Sequence, residues 1–163
     1  TLGGVSRGTR RHVGGRRVVI VLDSSVLSWM MRPGFAGLPP EVLARSKVEP
    51  SRISAISLQE LGVGFGREAS WPAIKDRLLD YAPLPFGAAE AVLAADLQRD
   101  IQRPHAKSLL SVWHRDLAIV ATVLTNEASL LVTGDQGMAV HARSFGIDVA
   151  LVAAPERPAS RSS

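Results

Sequence analysis

Residues Val18 to Leu22 form an unbroken apolar run, VVIVL, that stops abruptly at Asp23. A strand that is apolar at every position has no polar face to turn to water, so it belongs in the centre of a sheet covered on both sides. Two later stretches, Ser129 to Thr133 (SLLVT) and Ile147 to Val152 (IDVALV), read as strands, with Arg52 to Ala55 as a shorter candidate. Between them apolar residues recur at helical spacing. Ala88 to Gln102 places Val92, Leu93, Leu97 and Ile101 on one side of a helix. Asp116 to Asn126 does the same with Ile119, Val120, Val123 and Leu124, and Gln136 to Phe145 gives a last helix. Strands alternating with helices predict an α/β fold: a single-domain, three-layer α/β/α arrangement around a mostly parallel sheet.

Local signals refine the first half. Ser24 or Ser25 can cap a helix running to about Met31, which Pro33-Gly34 ends. A short helix is expected from Pro40 to about Ser46, since proline is tolerated in a first turn. In ISLQELGVGFG, Ser57 can cap and Glu60 then falls at the third helical position, the spacing of a capping box. Gly62, Gly64 and Gly66 argue for a short or closely packed helix there, and Trp71 to Leu79 for another.

In such sheets, sites form beyond the carboxyl ends of the strands. Asp23 and Asp135 each follow a strand, Glu60 lies near a helix start after a strand, and Asp116 opens an apolar helix. Each has an ordinary structural role open to it: helix cap for Asp23, capping box for Glu60, dipole partner for Asp116, turn residue for Asp135. Their joint placement points further. Four carboxylates brought together repel unless a cation neutralises them. The chain has no cysteine, so thiolate sites, disulfides and a cysteine nucleophile are excluded. Oxygen ligands alone favour Mg²⁺ or Mn²⁺, ions that keep several waters and can activate one against a phosphodiester.

The charge has to be located before it is interpreted. The formal net charge is +4, yet residues 1–17 carry Arg7, Arg10, Arg11, Arg16 and Arg17 and no acid, so the rest of the chain sums to 4 − 5 = −1. Residues 1–16 are expected to be a flexible Arg/Gly-rich leader and 155–163 a flexible tail, leaving 17–154 as the folded unit. Aromatics make up only 5% of residues, which disfavours a reader built on stacking platforms but not an enzyme gripping phosphates. No apolar run is long enough to span a bilayer, and the lack of cysteine suits a reducing cytoplasm.

Four blocks, in order, resemble the PIN-domain ribonuclease family. Val19-Ile20-Val21-Leu22-Asp23-Ser24-Ser25 is similar to its opening, and Glu60-Leu61 with Gly64 to its second motif. Asp116-Leu117-Ala118-Ile119-Val120-Ala121 and Val132-Thr133-Gly134-Asp135 are similar to the third and fourth. Leu27-Ser28 followed by Arg32-Pro33 resembles the VapC-like toxins of bacterial toxin–antitoxin pairs. The resemblance implies a Mg²⁺- or Mn²⁺-dependent endoribonuclease, usually dimeric, silenced by an antitoxin protein. It implies Asp23, Glu60, Asp116 and Asp135 as metal-holding catalytic acids, with Ser25 and Thr133 orienting them. Val120 and Met138 depart from the usual residues, in packing more than in chemistry. His114 and Arg115, and Arg103, His105 and Lys107 before them, are candidates for RNA phosphate contacts, with solvated charge as the plainer role. Trp29 and Met30 are candidates for core or for a partner surface.

Three rivals stand beside this reading. An aspartyl phosphatase needs a second Asp two residues after the first, where Ser25 stands. A receiver-like signalling module needs paired acids and a lysine that are not evident. A catalytically silent PIN-like module binding RNA or protein keeps the fold without needing the acids.

Overall fold

The computed structural model describes residues 18–102 and 113–155, the side chains of residues 102, 113 and 114 excepted. The expected leader, nearly all of the tail, and Arg103, His105 and Lys107 lie outside the described residues, as does the side chain of His114.

Four strands, β1 (Ile20–Leu22), β2 (Ser51–Ile53), β3 (Leu130–Thr133) and β4 (Val149–Leu151), form one sheet in the order β2-β1-β3-β4. Every pairing is parallel, with Leu22 in register with both Ile53 and Val132. The opening apolar run is thus a central strand, flanked on both edges. The helices are α1 (Ser24–Met30), α2 (Pro40–Ser46), α3 (Ala55–Phe65), α4 (Trp71–Leu79), α5 (Ala88–Gln102), α6 (Trp113–Thr125) and α7 (Gln136–Ser144).

The alternation of strand side chains divides the core in two. Ile20, Leu22, Leu130 and Val132 pack on one face with Val26, Leu27, Leu61, Phe65, Ile74 and Leu78 from α1, α3 and α4. Val21 and Leu131 pack on the other with Leu97, Leu117, Val120, Val123, Met138 and Ala142 from α5, α6 and α7. Helices therefore cover both faces, and the architecture is the three-layer α/β/α, PIN-like fold. Trp29 and Met30 lie partly buried against the first of these layers. Val92 departs from the expected apolar stripe: it is exposed, and α5 docks through Leu97 with Leu93 and Ile101 beside it.

For α1 the structure chooses among the caps the sequence offered, and for α3 it places the cap earlier. Helix α1 is capped by Asp23, not by Ser24 or Ser25; its carboxylate accepts from the Ser25 backbone N–H. Helix α3 is capped by Ser54, which accepts from the Ser57 N–H. Ser57 is then inside the helix and fully buried, where its hydroxyl accepts from that of Ser54. The capping-box role for Glu60 falls with it, because Glu60 stands in the middle of an eleven-residue helix. The glycines do not shorten that helix: Gly62 and Gly64 both lie within it.

Candidate active site

The neighbouring carboxyl ends of β1 and β3 fix the site. The Asp23 backbone N–H donates to the Val132 carbonyl at 2.9 Å, which ties the end of β1 to the end of β3. Asp23 itself is buried, 2% exposed, so its charge needs compensation from polar groups. It receives two hydroxyl bonds on Oδ2, from Ser25 Oγ at 2.6 Å and Thr133 Oγ1 at 2.9 Å.

Each of those hydroxyls is in turn held by a backbone amide. The Gly134 N–H donates to Ser25 Oγ at 2.9 Å, and the Asp135 N–H to Thr133 Oγ1 at 3.0 Å. A hydroxyl that accepts an amide proton has its own proton free to donate, so both point their hydrogens at Asp23. The turn after β3 therefore orients a carboxylate at the end of β1. Gly134 is required there: a Cβ at this position would lie 2.1 Å from the Trp29 ring.

The remaining acids arrive on three other elements. Asp135 caps α7, its Oδ1 accepting from the Met138 N–H at 2.8 Å. Glu60 reaches across from α3; its Oε2 accepts from Ser24 Oγ at 2.7 Å, and its Oε1 pairs with Arg115 at 3.4 Å. Asp116 lies in the first turn of α6. All four line one cavity of about 350 Å³, together with Ser24, Ser25, Arg32, Phe65 and Met138. Ser24 and Arg32 were not singled out as members from the sequence. A hydroxyl beside Asp23 gave one signal for Ser24, and the Arg-Pro pair ending α1 gave one for Arg32.

The electrostatics record the crowding. Burial pushes the Asp116 carboxyl up to about 7, and the charges of Asp135, Asp23 and Glu60 push in the same direction, against a smaller opposing pull from Arg115. Among the described residues no three Asp, Glu or His side chains close into a ready-made ion cage. A hard cation such as Mg²⁺ keeps most of its waters and is held through one or two carboxylates. The all-oxygen donor set, short of positive charge, fits such an ion.

Fold and pocket together define a class: a PIN-like α/β/α domain with carboxylates gathered on the carboxyl edge of its sheet. Solved structures share that fold. FitAcB from Neisseria gonorrhoeae is matched with a TM-score of 0.55 at 24% identity, over 80% of this chain and 96% of that one. VapBC2 from Rickettsia felis, bound to a DNA fragment from its promoter, gives 0.60 at 15% identity over 82% and 98%. VapBC-5 from Mycobacterium tuberculosis, a member of a family of toxin–antitoxin systems, gives 0.52 at 20% identity over 83% and 99%. At these identities the likeness is one of fold. No family model and no curated protein matches the sequence. Among the described residues, no helix is long and apolar enough to cross a membrane.

Proposed function

We propose that this protein is a Mg²⁺- or Mn²⁺-dependent endoribonuclease, the toxin of a cytoplasmic toxin–antitoxin pair, acting as a dimer and held silent by its antitoxin. The observation that carries the reading is the arrival of Asp23, Glu60, Asp116 and Asp135, from four separate elements, on one cavity. Toxin–antitoxin complexes with the same fold support the partner assignment.

In this reading Asp23, Asp116 and Asp135 hold the cation, with Glu60 completing the set. The bound ion would supply a more acidic water and a counter-charge for the departing oxygen of an RNA phosphodiester. Ser25 and Thr133 keep the Asp23 carboxylate in one orientation, so that its geometry is set before substrate arrives. Ser24 positions Glu60 in the same way. Asp116, raised to about 7 mainly by burial and then by the neighbouring acids, is the group whose proton is released most easily when positive charge enters the cavity.

The test is cleavage of RNA by purified protein with Mg²⁺ or Mn²⁺. Chelator is expected to stop it, and Asp23→Asn and Asp135→Asn each to abolish it while the circular dichroism spectrum stays that of the parent. Undiminished cleavage by both variants would overturn the mechanism.

A further inference from the structure

Arg32 takes no part in holding the four acids, yet it lines their cavity and is the one cation among the described residues that does so. Its setting is unusual for an exposed arginine. The guanidinium lies 4.7 Å from the centroid of the buried Phe65 ring, and Nη2 stands 3.6 Å from Glu68 Oε1. The guanidinium carbon lies over the ring face, while the ion pair occupies only part of a fork that carries five donors. Glu68 is 42% exposed, so that pair is weak enough to be exchanged for another anion.

Beyond Arg32 lies a second cavity of about 370 Å³, lined by Met31, Ile74 and Arg77 among others. Arg32 and Phe65 line both cavities, so they form the wall between them. A polyanion approaching four carboxylates meets net repulsion unless a cation stands at the entrance. Arg115 is not among the residues lining the cavity and is engaged with Glu60, so among the described residues Arg32 is the group placed for that task.

We propose that Arg32 is the strand-binding residue of this site. Its guanidinium takes the phosphate next to the scissile one, and its outer face supports the unstacked base of that nucleotide, which enters the second cavity. The proposal rests on RNA as substrate and selects single-stranded over duplex RNA, because only an unpaired base can leave its stack to lie on an arginine plane.

The experiment is fluorescence anisotropy with a short labelled single-stranded RNA and its duplex in Ca²⁺, over a salt series, with full-length protein. Arg32→Ala is expected to bind the single strand about 10-fold more weakly, with a salt slope lower by about one. Arg32→Lys should keep the slope but lose the preference for single strand over duplex, since a point charge carries no plane. Arg99→Ala, on the exposed face of α5, should match the parent. Equal affinity and slope for Arg32→Ala and parent would overturn the proposal, as would a Lys variant that keeps the strand preference. Arg32-dependent binding in a protein that does not cleave RNA with Mg²⁺ or Mn²⁺ would support strand binding and remove the hydrolytic reading alone.

Discussion

Asp116 and Thr133 show how much of the site's character resides in single side chains. The Asp116 carboxyl is raised from an ordinary 3.8 to about 7, mainly by burial and then by three neighbouring acids. The folded chain therefore holds a proton that the unfolded chain has lost across that interval, and stability falls as pH rises through it. Asp116→Asn carries no such charge. In chelator it should be more stable than the parent at pH 8, by about 2 kcal/mol after solvent screening, and lose that advantage near pH 4. Thermal melts at the two pH values check this; an Asn variant no more stable at pH 8 would contradict it. Thr133 makes the opposite kind of contribution. Its buried hydroxyl serves Asp23 and the Asp135 amide at once, so Thr133→Val should lose about 2–3 kcal/mol in urea unfolding, and Thr133→Ser should recover most of it.

At the scale of elements, the sharpest constraint is the approach of α1 to the turn after β3. Gly134 leaves room for the Trp29 ring, and any Cβ there collides with it. Gly134→Ala should destabilise by about 1–3 kcal/mol, and Trp29→Leu in the same chain should return part of the loss. A double-mutant cycle with purely additive losses would show that the two do not meet. Much of the element pattern was legible from residues alone. The run before Asp23, the helices at Pro40–Ser46, Trp71–Leu79 and Ala88–Gln102, and the parallel sheet follow from apolar periodicity, proline and glycine. The cap of α3 was not, and that of α1 was left open between Asp23, Ser24 and Ser25, because any hydroxyl or carboxylate near a strand end can accept an amide, and tertiary position chooses among them. The site's acids were visible as positions, and the family resemblance singled out Ser25 and Thr133 as the hydroxyls that orient them; the Gly134 amide that holds Ser25 was not visible, since it depends on β1 and β3 being neighbours. Ser54 shows the limit well: its capping bond to Ser57 is a local event, but its burial is set by the sheet.

For the whole molecule, the distribution of charge matters more than its sum. The residues after Arg17 total −1, while residues 1–17 contribute +5. On the proposed function, long-range attraction for RNA rests mainly on the first seventeen residues, and local grip on Arg32 beside the acids. A chain lacking residues 1–17 should show a flatter salt dependence of RNA binding, with the cleavage rate at saturating RNA unchanged. Filter binding across a salt series, paired with single-turnover cleavage, separates the two quantities. An unchanged slope would place the attraction elsewhere.

The bond from Thr133 to Asp23 joins residues 110 positions apart. Thr133, which bonds the first acid, and the Gly134 amide, which holds Ser25 against it, both come from the last third of the chain, as do two of the other three acids. A nascent chain emerging from the ribosome carries Asp23 and Glu60 long before α6 and β3 exist. On the proposed function, the cutting edge cannot be assembled before β3 is made, so no competent enzyme is present until then. By then a partner made alongside it can already be in place.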